Sequence, residues 1–445
     1  MEKKSGFSSR IGFVLAAAGS AVGLGNIWRF PYLAAKYGGG IFLLVYLILA
    51  VTFGFALMIT EISIGRRTGK SPLQAYKMIN SKFSFLGVLA ALVPIIIFPY
   101  YCVIGGWVVK FLGVYITGQG HAATSPEYFG GFIGSTAEPL ICLAIFLIIT
   151  SIVVIFGVQK GIEKVSKIMM PVLIIMSLGT AIYSLTLEGA VDGLIYYVKP
   201  NFSEFSIKTL VAAMGQLFYS MSLAMGIMIT YGSYMRKEDD LEKSVRNIEI
   251  FDTGIAFLSG MMIIPAVFAF SGGNPEALQA GPTLMFITLP NVFDTMTGGH
   301  ILGLVFFVLV LFAALTSAIS LMETIVSIII EKFKIKRLSA CLVVMAISFL
   351  IAIPSSLGNG ILSNVKIFGY QILDFFDFIS NNIMMPIVAL VTSILIGYII
   401  KPSYISEEIE TSGKFKSKAL YNVLIKFVVP VCMVIILVSS IVGYV

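Results

Sequence analysis

The residues with the clearest chemical potential lie inside a long apolar segment near the start of the chain, at positions 18–31. Asn26 and Arg29 are polar there, and hydrocarbon does not tolerate such side chains without partners. The same stretch contains three glycines: Gly19, Gly23 and Gly25. Each destabilises a helix interior by roughly 1 kcal/mol relative to alanine. A helix that breaks here frees backbone groups, which persist at membrane depth only where they line a cavity or bind a ligand. The stretch therefore predicts a site for ions and a solute.

A second stretch, at positions 215–226, repeats this pattern about two hundred residues later. Small and hydroxyl residues, Ser220 and Ser222 among them, interrupt another segment of membrane-spanning length. Two interrupted helices at corresponding places in two halves of a membrane protein indicate the site of a secondary transporter.

The composition requires a membrane protein with many spans. Of the 445 residues, 58% are hydrophobic and only 12% are charged, with a mean hydropathy of +0.97. Charged residues are therefore too few to coat a soluble globule. The net charge of +7 does not indicate nucleic-acid binding, because the basic residues lie in short loops between apolar segments, where they act as orientation signals.

We predict eleven spans from the apolar segments: 10–36, 40–66, 86–117, 138–157, 163–187, 208–235, 242–271, 299–331, 337–354, 366–400 and 418–444. The prolines and glycines of 272–298 make that segment too broken to span, so we expect a re-entrant external loop. Lysines and arginines concentrate in alternate loops, with the modestly basic 188–207 as the exception. The positive-inside rule then predicts a cytoplasmic N-terminus and an external C-terminus.

No catalytic pattern accompanies these spans. Lys70 and Ser71 resemble the end of a phosphate-binding loop, but Ile64 stands where its first glycine should be, so no nucleotide is expected. Gly-x-Ser-x-Gly and His-Glu-x-x-His are absent, as is a catalytic carboxylate pair. The protein is therefore not expected to be an enzyme. A channel and an amino-acid-binding transceptor remain as alternatives to a transporter.

The stretch 18–31, followed by three glycines at 38–40, resembles the first-helix signature of the neurotransmitter:sodium symporters. The resemblance covers the whole chain in order and includes Tyr100-Tyr101, Gln216 to Gly226, Phe312 to Ser317, and Asp377. It is strongest to the eleven-helix bacterial transporters of tyrosine and of multiple hydrophobic amino acids. It implies sodium-coupled amino-acid symport by alternating access in a bacterial inner (plasma) membrane.

The resemblance also implies an all-α membrane protein with a LeuT-like fold. Residues 1–445 would form a single integral membrane domain. Helices 1–5 (10–187) and helices 6–10 (208–400) would form a 5+5 inverted repeat with broken first and sixth helices, followed by helix 11 (418–444). Whether the protein forms a homodimer is left open, and lipid is the expected surrounding.

Two sodium sites are implied by the same resemblance. Site one would use Ala21, Asn26, Ser220 and Asp252, completed by the substrate carboxylate. Site two would use Gly19, Val22, Ala313, Thr316 and Ser317. Oxygen-rich ligand sets of this kind suit hard cations.

The resemblance places the amino-acid substrate between the two breaks. Its carboxylate would meet the Leu24 and Gly25 amides and the Tyr101 hydroxyl, at the positive end of a half-helix. The substrate-binding residues would be Ala21, Leu24, Gly25, Ile97, Tyr101, Tyr219, Ser220, Ser222, Met225, Ser317 and Leu321. Met225 replaces the phenylalanine of a leucine-preferring relative, and a flexible thioether adapts to larger solutes. An aromatic or large aliphatic amino acid is therefore expected, tyrosine first.

The same resemblance implies gating residues and residues that support the broken helices. Arg29 and Asp377 would pair above the substrate, since an unpaired arginine at that depth is costly. The inner gate would comprise Lys4, Phe7, Ser233, Tyr234 and Glu331. Glu61 is expected to brace the broken first helix, and Gly161 to Pro171 matches a spacing linked to unwinding of the fifth span.

A carboxylate at Asp252, where many relatives have asparagine, changes the expected ion requirement. It supplies at site one the negative charge that chloride supplies in animal relatives, where Tyr46, Gln216 and Ser220 would surround the anion. Ala256 stands where some chloride-independent bacterial relatives have an acidic residue. We therefore expect two sodium ions and no chloride.

Overall fold

The computed structural model describes residues 6–442, where the regular secondary structure is helical and the β-structure is limited to two isolated bridges. The predicted all-α membrane architecture is confirmed. Nine helices in the described part are long and apolar enough to span a membrane: Gly40–Thr68, Ser81–Ile116, Ala137–Ile155, Val158–Leu185, Leu241–Ser271, Gly299–Phe333, Arg337–Leu357, Ile372–Ile399 and Lys418–Val442.

The first predicted span is a bent pair, Arg10–Ala21 and Gly25–Lys36, whose axes meet at 56°. Counted as one, it is the tenth candidate span. The backbone N–H of Gly23 has no helical acceptor and donates instead to the Asn26 side chain, at 3.1 Å. The glycine-rich break predicted from the sequence is confirmed.

The sixth predicted span is also divided, into Ile207–Ser220 and Ile227–Gly232. Ser222 and Ala224 adopt positive φ values of 52° and 59° between the two pieces, a conformation that costs a non-glycine residue of order 1–3 kcal/mol. Neither piece is long enough to span alone, so the total of eleven spans stays a prediction.

Several predicted boundaries differ from the structure. The fifth span begins at Val158 rather than 163, because Gly157 at a φ of +83° ends the preceding turn. The tenth begins at Ile372 rather than 366, since Ile367 pairs with Tyr370 in a bridge.

Shorter helices join the spans: Pro72–Ile79, Pro126–Gly134, Ala190–Val198, Leu284–Thr288 with Leu289–Thr295, and Ser403–Glu410. The predicted external loop contains the fourth of these. Phe286 is fully buried there, its ring centroid 4.9 Å from that of Phe111 and 6.4 Å from that of Trp28. This loop therefore packs into the protein and does not cross the membrane.

The second span packs through glycines against the inner piece of the sixth, Ile227–Gly232. A Cβ on Gly65 would lie 1.9 Å from the carbonyl oxygen of Ile229, and a Cβ on Gly232 would lie 2.3 Å from that of Ile62. Only hydrogen atoms fit at both crossing points. The two segments therefore approach as closely as their backbones allow.

We expect Gly65→Ala to lower the thermal unfolding midpoint in detergent by several degrees, because overpacking costs about 1–3 kcal/mol. Gly179→Ala is the matched control, since a Cβ there meets nothing within 4 Å and alanine favours a helix. Equal midpoints for the two variants would contradict this packing.

Candidate functional site

The two breaks face each other across a cavity. Its lining comprises Ser20, Ala21, Gly23, Leu24, Gly25, Asn26, Ile97, Tyr101, Tyr219, Ser220, Ser222, Met225, Ile227, Ser317 and Leu321. All eleven residues expected to bind substrate are among them. Ser20, Gly23 and Ile227 were not selected from the sequence, although Ser20 and Gly23 lie within the first interrupted stretch and Ile227 directly follows the second.

The wall of the cavity presents polar groups to its interior. The Tyr101 hydroxyl is buried and has no hydrogen-bond partner among residues 6–442. A Cβ added to Gly23 would lie 3.4 Å from that oxygen and 2.7 Å from Ser317 Oγ. The lack of a side chain at Gly23 thus keeps open the space between the first break and these two hydroxyls.

Asp252 is fully buried and joins the two broken spans. Its Oδ1 accepts from Asn26 Nδ2 and from Ser220 Oγ, both at 2.8 Å. Tyr46 donates to Oδ2 at 3.4 Å. The structure thus brings together the side chains predicted for sodium site one, and Ala21 lines the same cavity.

The eighth span meets the first break at the residues predicted for site two. A Cβ on Gly19 would lie 3.3 Å from the Thr316 side chain, and Ser317 Oγ donates to the Ser20 carbonyl at 3.0 Å. The Thr316 hydroxyl donates to the carbonyl of Ala313, at 3.1 Å. Val22, also predicted for this site, is fully buried in the first break.

The side-chain oxygens around the breaks belong to hydroxyls, to the Asn26 and Gln216 amides and to the Asp252 and Glu61 carboxylates. No group of three His, Cys, Asp or Glu side chains that could hold a metal occurs in the described part of the chain. The donor set is thus unlike a transition-metal site, which uses imidazole and thiolate ligands. It suits a hard, singly charged cation.

Above the cavity, Arg29 and Asp377 occupy the predicted place but do not contact each other directly. Arg29 lies over the Tyr219 ring, 5.3 Å from its centroid. Asp377 Oδ1 accepts instead from Asn381 at 2.7 Å and from Tyr100 at 3.1 Å. Within residues 6–442 the two charges form no ion pair, so their pairing stays a prediction.

On the opposite side, Phe7 forms the centre of a closed aromatic contact. Its backbone N–H donates to the Tyr234 carbonyl at 3.0 Å, and its ring lies 5.6 Å from that of Tyr231 and 6.4 Å from that of Tyr234. Ser233, predicted beside Tyr234, follows the end of the sixth span's inner piece. Lys4 lies outside the described residues.

Two carboxylates on this side have partners that the sequence did not indicate. Glu331 accepts from Ser71, from its backbone N–H at 3.0 Å and from its hydroxyl at 2.6 Å. Glu163 accepts from the Ser8 backbone at 2.7 Å. Nothing in the sequence identifies Ser8, 155 positions away, as the partner of Glu163.

Glu61 differs from its predicted role. Its Oε1 accepts from the backbone N–H of Ala224 at 2.7 Å. This carboxylate therefore supports the break of the sixth span. The expectation that it braces the first helix is wrong, because its hydrogen bond goes to the sixth span instead. The reason is local, because Ala224 sits in the unwound segment and its amide has no helical acceptor.

Gly161 and Pro171 lie in the fifth span, as expected. A Cβ on Gly161 would lie 2.0 Å from the Val153 carbonyl oxygen, so this glycine permits the tight turn between the fourth and fifth spans. Pro171 lies inside the helix and cannot donate a backbone hydrogen bond there. Its neighbour Met170 reaches the first span, with its sulfur 3.3 Å from a Cβ built on Gly19.

Comparison with known proteins agrees with the motifs. A family model described as "Sodium:neurotransmitter symporter family" matches residues 4–121 and 132–445. The chain is 35% identical over 448 residues to the uncharacterized sodium-dependent transporter YhdH of Bacillus subtilis, covering 99% of this chain and 98% of the relative.

More distant relatives and a solved structure point the same way. The human sodium- and chloride-dependent GABA transporter 2 is 24% identical, with 88% of this chain and 72% of the relative covered. A crystal structure of MhsT in complex with L-phenylalanine superposes with a TM-score of 0.89 at 37% identity, covering 98% of this chain and 100% of that one.

Proposed function

Since the chain belongs to the sodium:neurotransmitter symporter family, we propose that it imports a hydrophobic amino acid, tyrosine first, by sodium-coupled alternating access. The observation that carries the proposal is the cavity between the two breaks, whose wall contains a buried Tyr101 hydroxyl with no hydrogen-bond partner among residues 6–442. The ligand in the solved relative, L-phenylalanine, is of the same chemical class.

In this proposal each end of the substrate meets complementary backbone groups. The carboxylate lies against the Leu24 and Gly25 amides and the Tyr101 hydroxyl. The ammonium faces carbonyls near Ala21 and Tyr219, since cations favour the carbonyl ends of broken helices. The remaining cavity residues enclose the side chain.

Two sodium ions accompany the substrate. The first is held by Ala21, Asn26, Ser220 and Asp252, and the second by Gly19, Val22, Ala313, Thr316 and Ser317. The short contacts of Asp252 with Asn26 and Ser220 support the first set. The approach of Thr316 to Gly19 supports the second.

The coupling energy is sufficient for accumulation. Two sodium ions and a zwitterion carry two net charges, so a potential of 100 mV contributes about 4.6 kcal/mol. That corresponds to a concentration ratio on the order of a thousand or more. The protein would work in a bacterial plasma membrane with its N-terminus in the cytoplasm and its C-terminus outside.

The transport cycle would move both gates, one closing as the other opens. Arg29 would turn from the Tyr219 ring toward Asp377 once substrate is bound, and the Phe7 contact would open to the cytoplasm. Unwinding of the fifth span between Gly161 and Pro171 would then release the second sodium ion.

Reconstituted into liposomes, the protein should accumulate tyrosine only when sodium is present outside. Replacing chloride by gluconate should leave the rate unchanged, because Asp252 supplies the negative charge at site one. Binding without accumulation would favour the transceptor alternative, and a rate that collapses in gluconate would reject chloride independence. Counterflow exchange, which a channel does not show, distinguishes a carrier from a channel.

We expect Gly23→Ala to weaken sodium-dependent tyrosine binding at least about tenfold. The added methyl group would lie 2.7 Å from Ser317 Oγ, and overpacking of this kind costs about 1–3 kcal/mol. Scintillation proximity binding measures the loss. Gly254→Ala, where a Cβ meets nothing within 4 Å, should bind as the wild type does; equal affinity of both variants would exclude Gly23 from the site.

We expect Met225→Phe to shift the preference from aromatic toward smaller aliphatic amino acids. The ring is stiffer than the thioether it replaces and removes volume from the cavity. Competition against labelled tyrosine across the twenty amino acids measures the shift, and Met225→Leu should preserve the wild-type order. An unchanged order in Met225→Phe, or glycine outcompeting tyrosine in the wild type, would contradict this pocket.

A further inference from the structure

Three lysines at the start of the fifth span belong to none of the sites described above. Lys160, Lys164 and Lys167 are exposed, and their spacing of four and three residues places them on one helix face. They line a single open groove together with Ser8, Phe156, Gln159, Glu163 and Ile168. Like charges this close repel one another unless an anion lies between them.

The protein itself supplies little negative charge to this groove. Glu163 is the acidic residue in its lining, and its buried carboxylate is already bound by Lys167 Nζ at 2.7 Å and by the Ser8 hydroxyl at 2.5 Å. Lys160 and Lys164 have no carboxylate within 4 Å in the part of the chain that the structure describes. The groove therefore has spare positive charge.

The same helix face continues into apolar side chains. Ile168, Val172 and Ile175 follow the lysines at helical spacing and are exposed, Ile175 at 69%. From the end of the fourth span, Phe156 adds a side chain that is 63% exposed. Exposed apolar side chains on a spanning helix face lipid, so the lysines stand at the polar end of a lipid-facing strip.

We propose that this groove binds an anionic phospholipid. The phosphate is held by Lys160, Lys164 and Lys167, and the acyl chains lie along the strip formed by Ile168, Val172 and Ile175. Charge complementarity selects the headgroup, while continuity with the apolar strip selects a lipid over a free anion. The distribution of basic loops predicts that the lipid belongs to the cytoplasmic leaflet.

The site adjoins the segment that closes the inner side. Lys167 has three donors and can hold the phosphate while keeping its bond to Glu163, which fixes Ser8 next to Phe7. Bound lipid therefore reinforces this anchor. The inference requires the membrane position of the fifth span, but not the identity of the transported solute.

The test uses the full chain in detergent, with native mass spectrometry to count bound lipids and a thermal unfolding assay. Phosphatidylglycerol should bind and raise the unfolding midpoint. Phosphatidylcholine with the same chains should do so far less, and glycerol phosphate should bind weakly. The triple variant Lys160→Gln, Lys164→Gln, Lys167→Gln should lose at least about tenfold in affinity for phosphatidylglycerol.

Matched variants keep the result interpretable. Lys414→Gln, Lys416→Gln, Lys418→Gln removes the same charge from exposed lysines elsewhere and should bind lipid as the wild type does. The double variant Lys160→Gln, Lys164→Gln leaves the Lys167–Glu163 pair intact, so a loss there cannot come from the anchor. Equal loss in both triple variants, equal binding of phosphatidylcholine, or equally tight binding of glycerol phosphate would each overturn the proposal.

Discussion

A helix cannot be interrupted in lipid unless other groups bind the backbone amides and carbonyls that the interruption exposes. The chain meets this constraint twice with buried side chains. Asn26 accepts from the Gly23 amide in the first break, and Glu61 accepts from the Ala224 amide in the sixth. The backbone amides and carbonyls that these side chains do not bind face the cavity, where they are available to solutes.

The same polar residues also tie the two breaks together. Asn26 and Ser220 come from different broken spans and donate to one carboxylate oxygen of Asp252. A displacement of either break would cost at least one buried hydrogen bond, worth about 1–3 kcal/mol if its partner is left unsatisfied. The site is therefore held by polar contacts within an apolar protein.

Much of this arrangement could be predicted from the sequence, because polar and helix-breaking residues are conspicuous in apolar segments. Asn26 and the glycines around it stood out in this way, and the resemblance supplied Asp252. Contacts that end on backbone atoms could not be predicted. The amide of Ala224 has no signature in the sequence, so the partner of Glu61 was misassigned. Asp377 has nearer donors in Tyr100 and Asn381 than in Arg29, a choice set by distances that only the fold provides.

The glycine crossing between the second span and the inner piece of the sixth determines where bending can occur. With Gly65 against the Ile229 carbonyl and Gly232 against that of Ile62, neither segment can slide or rotate without driving backbone into backbone. The two segments would therefore tilt together. The sixth span would bend at residues 221–226, where it is not helical.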